Sequence, residues 1–362
     1  MDENQPRHLT YDECGRSFPF SSHPASLHTL VRKLAAAAPD VTFSFFSTAK
    51  SNGLIFWLED NGLDKSKSLQ CDRRGLQCDR RGSSKLRVYR ETPEEFIELF
   101  TKATPRNFKR AIDGVVEEKK ITCVMSDTFL WFAGEMAEEM KVPWVPLWIA
   151  GQFSLSAHFY TDLIRRMIGT GPDATAGRED EPLNFIPGMS RFRIRDLQEG
   201  IVFGDVDSPF SNMLHRMGQM LPRAAAVAIN SVEELNPTIT DDLKKKFQNC
   251  LNVGPFSFMS ALPSDPDVNG CLSWLDGQKA ASVAYIGFEV WEIGVGMEGG
   301  VITIDGMMRG LDLILSEEKG KKMRGNIGAL NELMGKAVGA QGSSSENFKI
   351  LLEIVSRGKM GL

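Results

Sequence analysis

Two side chains that can move protons stand at the starts of two predicted helices. His23 directly precedes Pro24, a residue that suits the first helical position, so the imidazole lies at the entrance of a helix predicted over 25–38. Asp127 follows a β-prone run over 121–125 and precedes a second predicted helix. In a parallel sheet both positions face the carboxyl edge, where ligands bind, so the spacing is compatible with a histidine–aspartate dyad.

Such a dyad would suit general base catalysis. A helix N-terminus disfavours the imidazolium ion, which would keep His23 neutral and able to accept a proton. A buried Asp127 would fix the histidine tautomer and stabilise the cation that forms in the transition state. The plainer alternative is that Asp127 is an ordinary helix N-cap and that His23 is a loop residue, and spacing alone favours this alternative.

The stretch that positions Asp127 runs from Ile121 to Trp148. Its first five residues form a short apolar run between charged and polar neighbours, which is typical of a buried parallel strand. Apolar residues then recur at spacings of three and four, which predicts an amphipathic helix, at Phe129, Phe132, Met136 and Met140. Pro143 ends this helix, and 142–148 is predicted to be the next strand.

Strand and helix patterns alternate through the rest of the first half, which predicts an α/β fold. The predicted strands lie at 41–47 and 224–230, and the predicted helices at 94–108, 109–118, 152–168 and a segment ending near 221. Residues 8–17 contain Asp12, Glu13 and Arg16 and do not predict a buried strand. After a Pro/Asp/Gly-rich linker at 261–270 come a short helix at 271–275, a strand at 282–288, and charged helices over 305–356 broken near 339–342.

Composition narrows the class of partner. With 362 residues, two domains are expected at about 100 to 200 residues each. A net charge of -5 leaves no basic surface for nucleic acid, and small neutral ligands fit better. The six cysteines are scattered, the N-terminal residues lack the apolar core of a signal peptide, and no apolar run approaches the roughly 18 residues of a membrane span. We therefore expect a soluble, cytoplasmic protein without a membrane span.

Other motifs give weaker hypotheses. Residues 294–299 spell G-x-G-x-x-G, but a strand-like run follows where a dinucleotide site needs a helix, so a glycine-rich turn is favoured over a nicotinamide site. Cys71 and Cys78 lie in a repeated LQCDRRG and match no common metal-ligand spacing, so no metal is expected. From their helical patterns, His158 and His215 are expected to be packed or solvent-facing rather than ligands.

Seven segments, spread over 18–52, 94–288 and 289–358, carry a resemblance to a known family. They are FPFSSHPASLHTLVRKLAAAAPDVTFSFFSTAKSN, SDTFLWFAGEMAEEMKVPWVPLW, DLQEGIVFGDVDSPFSNMLHRMGQMLP, AINSVEELNP, LNVGPF, EKGKKMRGNIGALNELMGKAVG and SSSENFKILLEIVSRG. Together they resemble the plant UDP-sugar-dependent glycosyltransferases, most closely the flavonoid and anthocyanidin 3-O-glucosyltransferase branch.

The resemblance implies a GT-B-like fold with two Rossmann-type domains, the C-terminal one truncated. The acceptor would bind to an N-terminal domain at 1–254, and the nucleotide sugar to an incomplete C-terminal domain at 255–362. His23 takes the place of the family's general base, which deprotonates the flavonoid 3-hydroxyl for inverting attack on the sugar. Asp127 takes the place of the acid that orients this base.

The same resemblance implies the binding residues. Those at positions that line the acceptor pocket are Ser21, Phe129, His158, Gln198 and Phe210, and Ser22 stands next to the donor phosphates. The UDP-sugar is a co-substrate, so no cofactor is expected. The expected partners are a flavonoid or other small phenolic acceptor and the UDP-sugar, and the protein is expected to be a monomer.

The chain also departs from the family pattern. The donor box, which runs from Trp-Ala-Pro-Gln through His-Cys-Gly-Trp-Asn-Ser, is missing between Phe288 and Glu289, and no histidine follows His215. The charge of Glu289 would repel a diphosphate, and Ile149 stands where the family often has a hydroxyl residue. The alternative hypothesis is therefore an inactive remnant that at most binds flavonoids or partner proteins.

Overall fold

The structure is a computed structural model, and it describes residues 23–46, 69–71, 93–116, 120–256, 270–279, 304–315 and 317–356. Two parallel sheets lie within these ranges. The first pairs β1 (Phe43–Phe45) with β2 (Leu69–Cys71). The second has four strands in sequence order, β3 (Val124–Asp127), β4 (Trp144–Trp148), β5 (Val227–Ile229) and β6 (Cys250–Asn252).

Helices connect and follow these strands. In chain order they are α1 (His23–Ala37), α2 (Pro93–Val116), α3 (Phe132–Glu139), α4 (Gln152–Phe159), α5 (Thr161–Ile168), α6 (Pro172–Thr175), α7 (Pro209–Met220), α8 (Pro237–Lys246), α9 (Cys271–Asp276), α10 (Ile304–Leu315), α11 (Glu317–Val338) and α12 (Ser343–Ser356). Short 3-10 turns lie at Ile194–Asp196, Leu221–Arg223 and Glu233–Leu235. Parallel strands that alternate with helices confirm the predicted α/β class.

The four-stranded sheet is covered on both faces. All five residues of β4 are buried, as its continuous apolar sequence WVPLW predicts for a parallel strand between two layers. Trp144 and Trp148 point into a large core formed with α2–α5 and α7, whereas Val145 and Leu147 point into a smaller core on the opposite face. The sheet is therefore the middle layer of a three-layer arrangement.

The last helix packs on this sheet. Leu351, Ile354 and Val355 of α12 are buried in the smaller core together with Leu30 and Leu34 of α1. At its N-terminal end, the buried hydroxyl of Ser344 donates a hydrogen bond to the carbonyl oxygen of Gly254 (2.7 Å). Residues 343–356 fall in the predicted second domain by sequence but contact β6 of the four-stranded sheet. The division of the chain at 254 and 255 stays a prediction.

A cavity of about 330 Å³ separates the two sheets. Its walls include Phe43 and Phe45 of β1, Ile112 of α2, and Val124 and Met125 of β3. Within the described ranges, β1 pairs only with β2, and β3 only with β4. Residues 8–17, whose charges argue against a buried first strand, lie outside these ranges.

Several predicted boundaries were wrong by a few residues. The strand predicted at 121–125 lies at Val124–Asp127, because the pairing with β4 begins at Val124 opposite Trp144. The predicted helix 152–168 is divided at Tyr160, which has non-helical angles (φ -91, ψ 15) and whose hydroxyl donates to Asp242 (2.8 Å). The two helices predicted over 94–118 form the single helix α2.

The C-terminal predictions had mixed outcomes. The short helix at 271–275 and the break near 339–342 are confirmed by α9 and by the gap between α11 and α12. The predicted strand at 282–288 and the glycine-rich turn at 294–299 lie outside the described residues.

Candidate active site

His23 and Asp127 are in contact at the carboxyl edge of the larger sheet. α1 begins at His23, and Asp127 is the last residue of β3. The imidazole Nδ1 lies 2.7 Å from the carboxylate Oδ2, and the side chains are 15% and 11% exposed. The contact that the sequence predicts between these residues is confirmed. Their catalytic roles stay predictions.

Asp127 is not a helix N-cap. Its Oδ1 accepts a hydrogen bond from the backbone N–H of Phe129 (2.9 Å), which closes a local turn. α3 begins only at Phe132, and its N-cap residue Trp131 makes no side-chain cap. The prediction that Asp127 stands at the helix N-terminus was therefore wrong, as was the N-cap alternative. The intervening turn leaves the second oxygen of the carboxylate for His23.

The hydrogen bond determines which ring nitrogen of His23 can act as a base. An ionised carboxylate only accepts hydrogen bonds, so Nδ1 of the neutral imidazole carries the proton and donates it to Asp127. The lone pair then resides on Nε2. The ring of Phe129 lies 5.0 Å from the imidazole, between centroids, which places a predicted acceptor residue directly beside the predicted base.

His158 and Gln198 form a second pair. His158 on α4 is 3% exposed, and its Nε2 donates to the side-chain oxygen of Gln198 at 3.0 Å. Burial lowers the pKa of His158 to about 4, against the opposing effect of the Gln198 hydrogen bond. The imidazole is therefore neutral at pH 7. Trp148 lies against it, with ring centroids 5.4 Å apart.

The remaining predicted site residues fall into two sets. Phe210 lies half-buried in the first turn of α7 and, like Phe129, packs against the larger core. Ser21 and Ser22 lie outside the described residues, so their predicted roles stay predictions. The structure thus brings His23, Asp127 and Phe129 together, and separately His158 and Gln198.

A buried amide at the same edge of the sheet was missed by the sequence analysis. Gln152, the first residue of α4, is fully buried. Its Nε2 donates to the carbonyl oxygen of Val232 (2.6 Å) and to Oδ1 of Asn252 (2.9 Å), and its Oε1 accepts from the hydroxyl of Ser231 (2.9 Å). These bonds connect the start of α4 to the segment that follows β5 and to the last residue of β6. No local pattern distinguishes such a glutamine from an exposed one.

Other histidines and cysteines of the described chain have plainer surroundings. His215 lies 2.7 Å from Asp162, in a pair that is more exposed than the pair of His23 and Asp127. His215 thus partly faces solvent and His158 is packed, as predicted from their helical patterns. Burial raises the pKa of the Cys123 and Cys250 thiols to about 12, so both are protonated at pH 7.

Within the described ranges, no three or more His, Cys, Asp or Glu side chains are grouped so that they could hold a metal. None of the helices there has the length and apolarity required to cross a membrane.

Curated proteins with similar sequences are plant glycosyltransferases. The chain is 39% identical to an anthocyanidin 3-O-glucosyltransferase of Vitis vinifera over 450 residues, covering 95% of this chain and 97% of the relative. It is 36% identical to an anthocyanidin 3-O-galactosyltransferase of Actinidia chinensis var. chinensis (94% and 96% covered) and 34% identical to a flavonol 3-O-glucosyltransferase of Arabidopsis thaliana (94% and 96%). No protein-family model matches the chain.

The lengths of these alignments reveal a difference from the relatives. The alignment with the Vitis vinifera protein runs over 450 residues, whereas this chain has 362. Because the alignment covers nearly all of both proteins, the relative carries internal residues that this chain lacks. This difference agrees with the prediction that the chain is a shortened form of the family's chain.

Solved structures show the fold. A UDP-glucose:anthocyanidin 3-O-glucosyltransferase in complex with UDP superposes with a TM-score of 0.77 at 24% identity, covering 94% of this chain and 97% of the other. A UDP-glucosyltransferase from Polygonum tinctorium gives a TM-score of 0.67 at 13% identity, covering 91% and 95%. The predicted GT-B-like fold is thereby confirmed. Being 34% to 39% identical to these curated relatives over at least 94% of its length, the chain belongs to the plant UDP-glycosyltransferase family, in its anthocyanidin and flavonol 3-O-glycosyltransferase branch.

Proposed function

We propose that this chain transfers a hexose from a UDP-sugar to the 3-hydroxyl of an anthocyanidin or flavonol. The observation that carries the proposal is the 2.7 Å contact between His23 and Asp127 at the carboxyl edge of the sheet, in a chain that belongs to this family. The relatives are named as glucosyltransferases and galactosyltransferases, so the sugar is a hexose of this kind.

The contact supports a role for His23 as general base. Its Nε2 takes the proton of the acceptor hydroxyl as the oxygen attacks the anomeric carbon. The new carbon–oxygen bond forms while the bond to the phosphate oxygen of UDP breaks, so the anomeric configuration inverts. The proton stays on the imidazole, and the Asp127 carboxylate stabilises the resulting cation through Nδ1–H.

The residues proposed to line the acceptor pocket have the chemistry that suits a flat phenolic acceptor. Phe129 lies beside His23, and Phe210 supplies a second half-buried aromatic side chain. The neutral His158 and its partner Gln198 add placed polar groups. Aromatic walls with a few fixed hydrogen-bonding groups are typical of sites for planar ligands. We propose Ser21 as a further acceptor contact and Ser22 as a donor contact, both on family resemblance.

The proposal is tested by incubating the full chain with UDP-glucose and quercetin and detecting the glucoside by chromatography and mass spectrometry. His23→Ala removes the base and should abolish product formation. His215→Ala is the matched control, because His215 forms a histidine–aspartate pair of the same length on a more exposed surface. Product formation that is unchanged in His23→Ala would refute the assignment of the base.

A second candidate function is that of a flavonoid-binding protein without turnover. It is favoured by the internal residues that relatives carry and this chain lacks, and by the absence from its sequence of the family's donor box. Isothermal titration with UDP-glucose separates the two functions. Binding in the micromolar to low millimolar range supports the enzyme, whereas no binding supports the non-catalytic protein.

We also propose that the protein is a cytoplasmic monomer. Its scattered cysteines support a reducing compartment. Size-exclusion chromatography with light scattering should give a mass near 40.2 kDa, the mass of one chain. A mass near twice that value would show a dimer instead.

A further inference from the structure

Three separate segments carry predicted acceptor residues. His158 lies on α4, Gln198 lies in the loop after the 3-10 turn Ile194–Asp196, and Phe210 lies at the start of α7. Gln198 is exposed, whereas the histidine that donates to it is buried. An exposed glutamine has many rotamers available. The hydrogen bond between Gln198 and His158 therefore requires that the backbone of the loop around Gln198 be fixed by other contacts.

Arg165 of α5 holds this loop from one side. Its Nε donates to the carbonyl oxygen of Ile201 (2.9 Å), and its Nη2 donates to the carbonyl oxygen of Gly200 (3.0 Å). The same Nη2 also donates to the hydroxyl of Ser211 (3.0 Å). The planar guanidinium therefore fixes two successive carbonyl groups just after Gln198.

Ser211 of α7 holds the loop from the other side. It is 0% exposed, and its hydroxyl donates to the carbonyl oxygen of Gly200 (2.6 Å). Gly200 has a φ of +89, and a Cβ there would lie 3.3 Å from the Cα of Ser211. The loop thus approaches α7 closely, in a conformation that favours glycine. Ser211 is also the residue that follows Phe210.

His158, the donor of the hydrogen bond to Gln198, is also connected to α5 and α7, the helices that carry Arg165 and Ser211. α5 continues from α4 after the single residue Tyr160. α7 contacts α4 at His158 itself, because a Cβ placed on Gly218 would lie 2.3 Å from the carbonyl oxygen of His158. Arg165 and Ser211 therefore join the three segments that carry the predicted acceptor residues.

We propose that Arg165 and Ser211 are positioning residues that hold Gln198 against His158 and thereby determine affinity for the acceptor. The proposal rests on the acceptor role proposed above for this pair. With its side-chain oxygen engaged by His158, Gln198 has its amide N–H groups to donate to a ligand. The group that it recognises is accordingly a phenolic or carbonyl oxygen of the aglycone.

A first experiment needs no ligand. In protein labelled with ¹⁵N-histidine, the Nε2–H proton of His158 should exchange slowly with water, because it is buried and hydrogen-bonded. Arg165→Met should accelerate this exchange by at least about tenfold, the effect of losing roughly one hydrogen bond. Arg166→Met is the matched control, since Arg166 is the next residue and is exposed. Equal exchange in both variants would overturn the positioning role.

A second experiment measures acceptor binding by quenching of tryptophan fluorescence with quercetin. Arg165→Met and Ser211→Ala should each weaken quercetin binding about tenfold, while Arg166→Met should not change it. Arg165→Lys, which keeps the charge but not the planar fork, should also weaken binding. Unchanged affinity in Arg165→Met and Ser211→Ala would contradict the proposal.

The two experiments separate the two proposals. If the unmodified chain does not bind quercetin, the proposed acceptor site is refuted, and the histidine exchange rate alone decides whether Arg165 and Ser211 hold Gln198. Thermal unfolding followed by circular dichroism verifies that each variant is folded. If Arg165→Met does not fold, Ser211→Ala, which removes a single hydroxyl, is judged by both measurements.

Discussion

His23 and Asp127 meet across 104 positions of sequence, with Nδ1 of the imidazole 2.7 Å from Oδ2 of the carboxylate. The two oxygens of Asp127 have different partners, since Oδ1 accepts from the backbone N–H of Phe129. A local turn therefore orients the carboxylate, and the carboxylate in turn selects the tautomer of His23. This dependence can be tested without disturbing the turn.

Asp127→Asn should keep the turn but reverse the tautomer. The asparagine oxygen can still accept from Phe129, while its N–H₂ group then faces Nδ1 and donates to it, which moves the histidine proton to Nε2. Turnover should fall by about 10³-fold or more, as expected when the base has the wrong tautomer. Kinetics with quercetin measure turnover, and ¹⁵N chemical shifts of His23 report the tautomer even if turnover is slow.

Asp162→Asn is the control for this substitution. It alters the more exposed pair with His215 in the same chemical way and should leave turnover within a factor of about two, because surface pairs contribute little. A His23 that keeps its proton on Nδ1 in Asp127→Asn would contradict the role given to the carboxylate.

Burial of His158 should make the free energy of unfolding depend on acidity. Its pKa is about 4 in the folded chain, below the ordinary value of 6.5. The unfolded chain therefore binds a proton between these values that the folded chain does not. The folded state should lose about 3 kcal/mol from this residue as the pH falls from 6.5 through 4, with full stability above 6.5.

Urea unfolding at pH 7, 5.5 and 4 measures this effect. His158→Gln should show a shallower loss of stability than the unmodified chain over this range, although it is less stable at pH 7. The pKa of His28 is lowered to about 4, mainly by burial and to a smaller extent by the charge of Arg32. His28 therefore adds to the loss of stability over the same pH range. If the free energy of unfolding depends on pH in the same way in the unmodified chain and in His158→Gln, His158 is not neutral and buried.

Gly218 should not tolerate a side chain. A Cβ there would lie 2.3 Å from the carbonyl oxygen of His158, and the contact is with backbone, which cannot rotate away. Gly218→Ala should therefore force α7 from α4 and lower the free energy of unfolding by about 1 to 3 kcal/mol, a typical cost of overpacking.

Gly114 provides the comparison for this change. It lies in α2, where an added Cβ would have nothing within 4 Å. Gly114→Ala should be neutral or stabilise the chain by up to about 1 kcal/mol, because alanine favours the helix. Both variants are measured by urea unfolding at pH 7. Equal stability of the two would show that α4 and α7 are not in close contact.

The packing of α12 on the four-stranded sheet predicts different effects of substitution at two neighbouring residues. Leu351 is fully buried against the sheet, whereas Ile350 is 40% exposed. Leu351→Ala should lower the free energy of unfolding by about 2 to 5 kcal/mol, because it leaves a cavity in the core. Ile350→Ala should cost under about 1 kcal/mol. Comparable losses in the two variants would argue that α12 does not pack there.

Much of the fold follows from local pattern. The apolar run and the helical spacing of 121–148 predict a strand, a helix and a second strand, and the structure contains β3, α3 and β4 there. Pro24 marks the start of α1, and glycines mark the break before α12. These features were predictable because backbone propensity and the alternation of buried and exposed residues act within a few positions.

The boundaries and the partners of the site were not predictable in this way. The apolar run begins at Ile121, but β3 begins at Val124 because pairing with Trp144 starts there. The segment 152–168 has one helical pattern, yet it divides at Tyr160, whose hydroxyl bonds to Asp242 far along the chain. Hydrogen bonds between distant segments override local preference at these positions.

The amino-acid sequence by itself determined the α/β class, the position of His23 at the entrance of a helix, and the family to which the chain is similar. Only the tertiary structure decided that Asp127 closes a turn with one carboxylate oxygen rather than capping α3, and that the other oxygen is thereby left for His23. It alone brought Arg165, Gly200 and Ser211 together. The physical reason is that the spacing of apolar residues along the sequence indicates which side chains face the core. The hydrogen-bond partner of a side chain depends instead on which distant backbone groups the packed helices bring within reach.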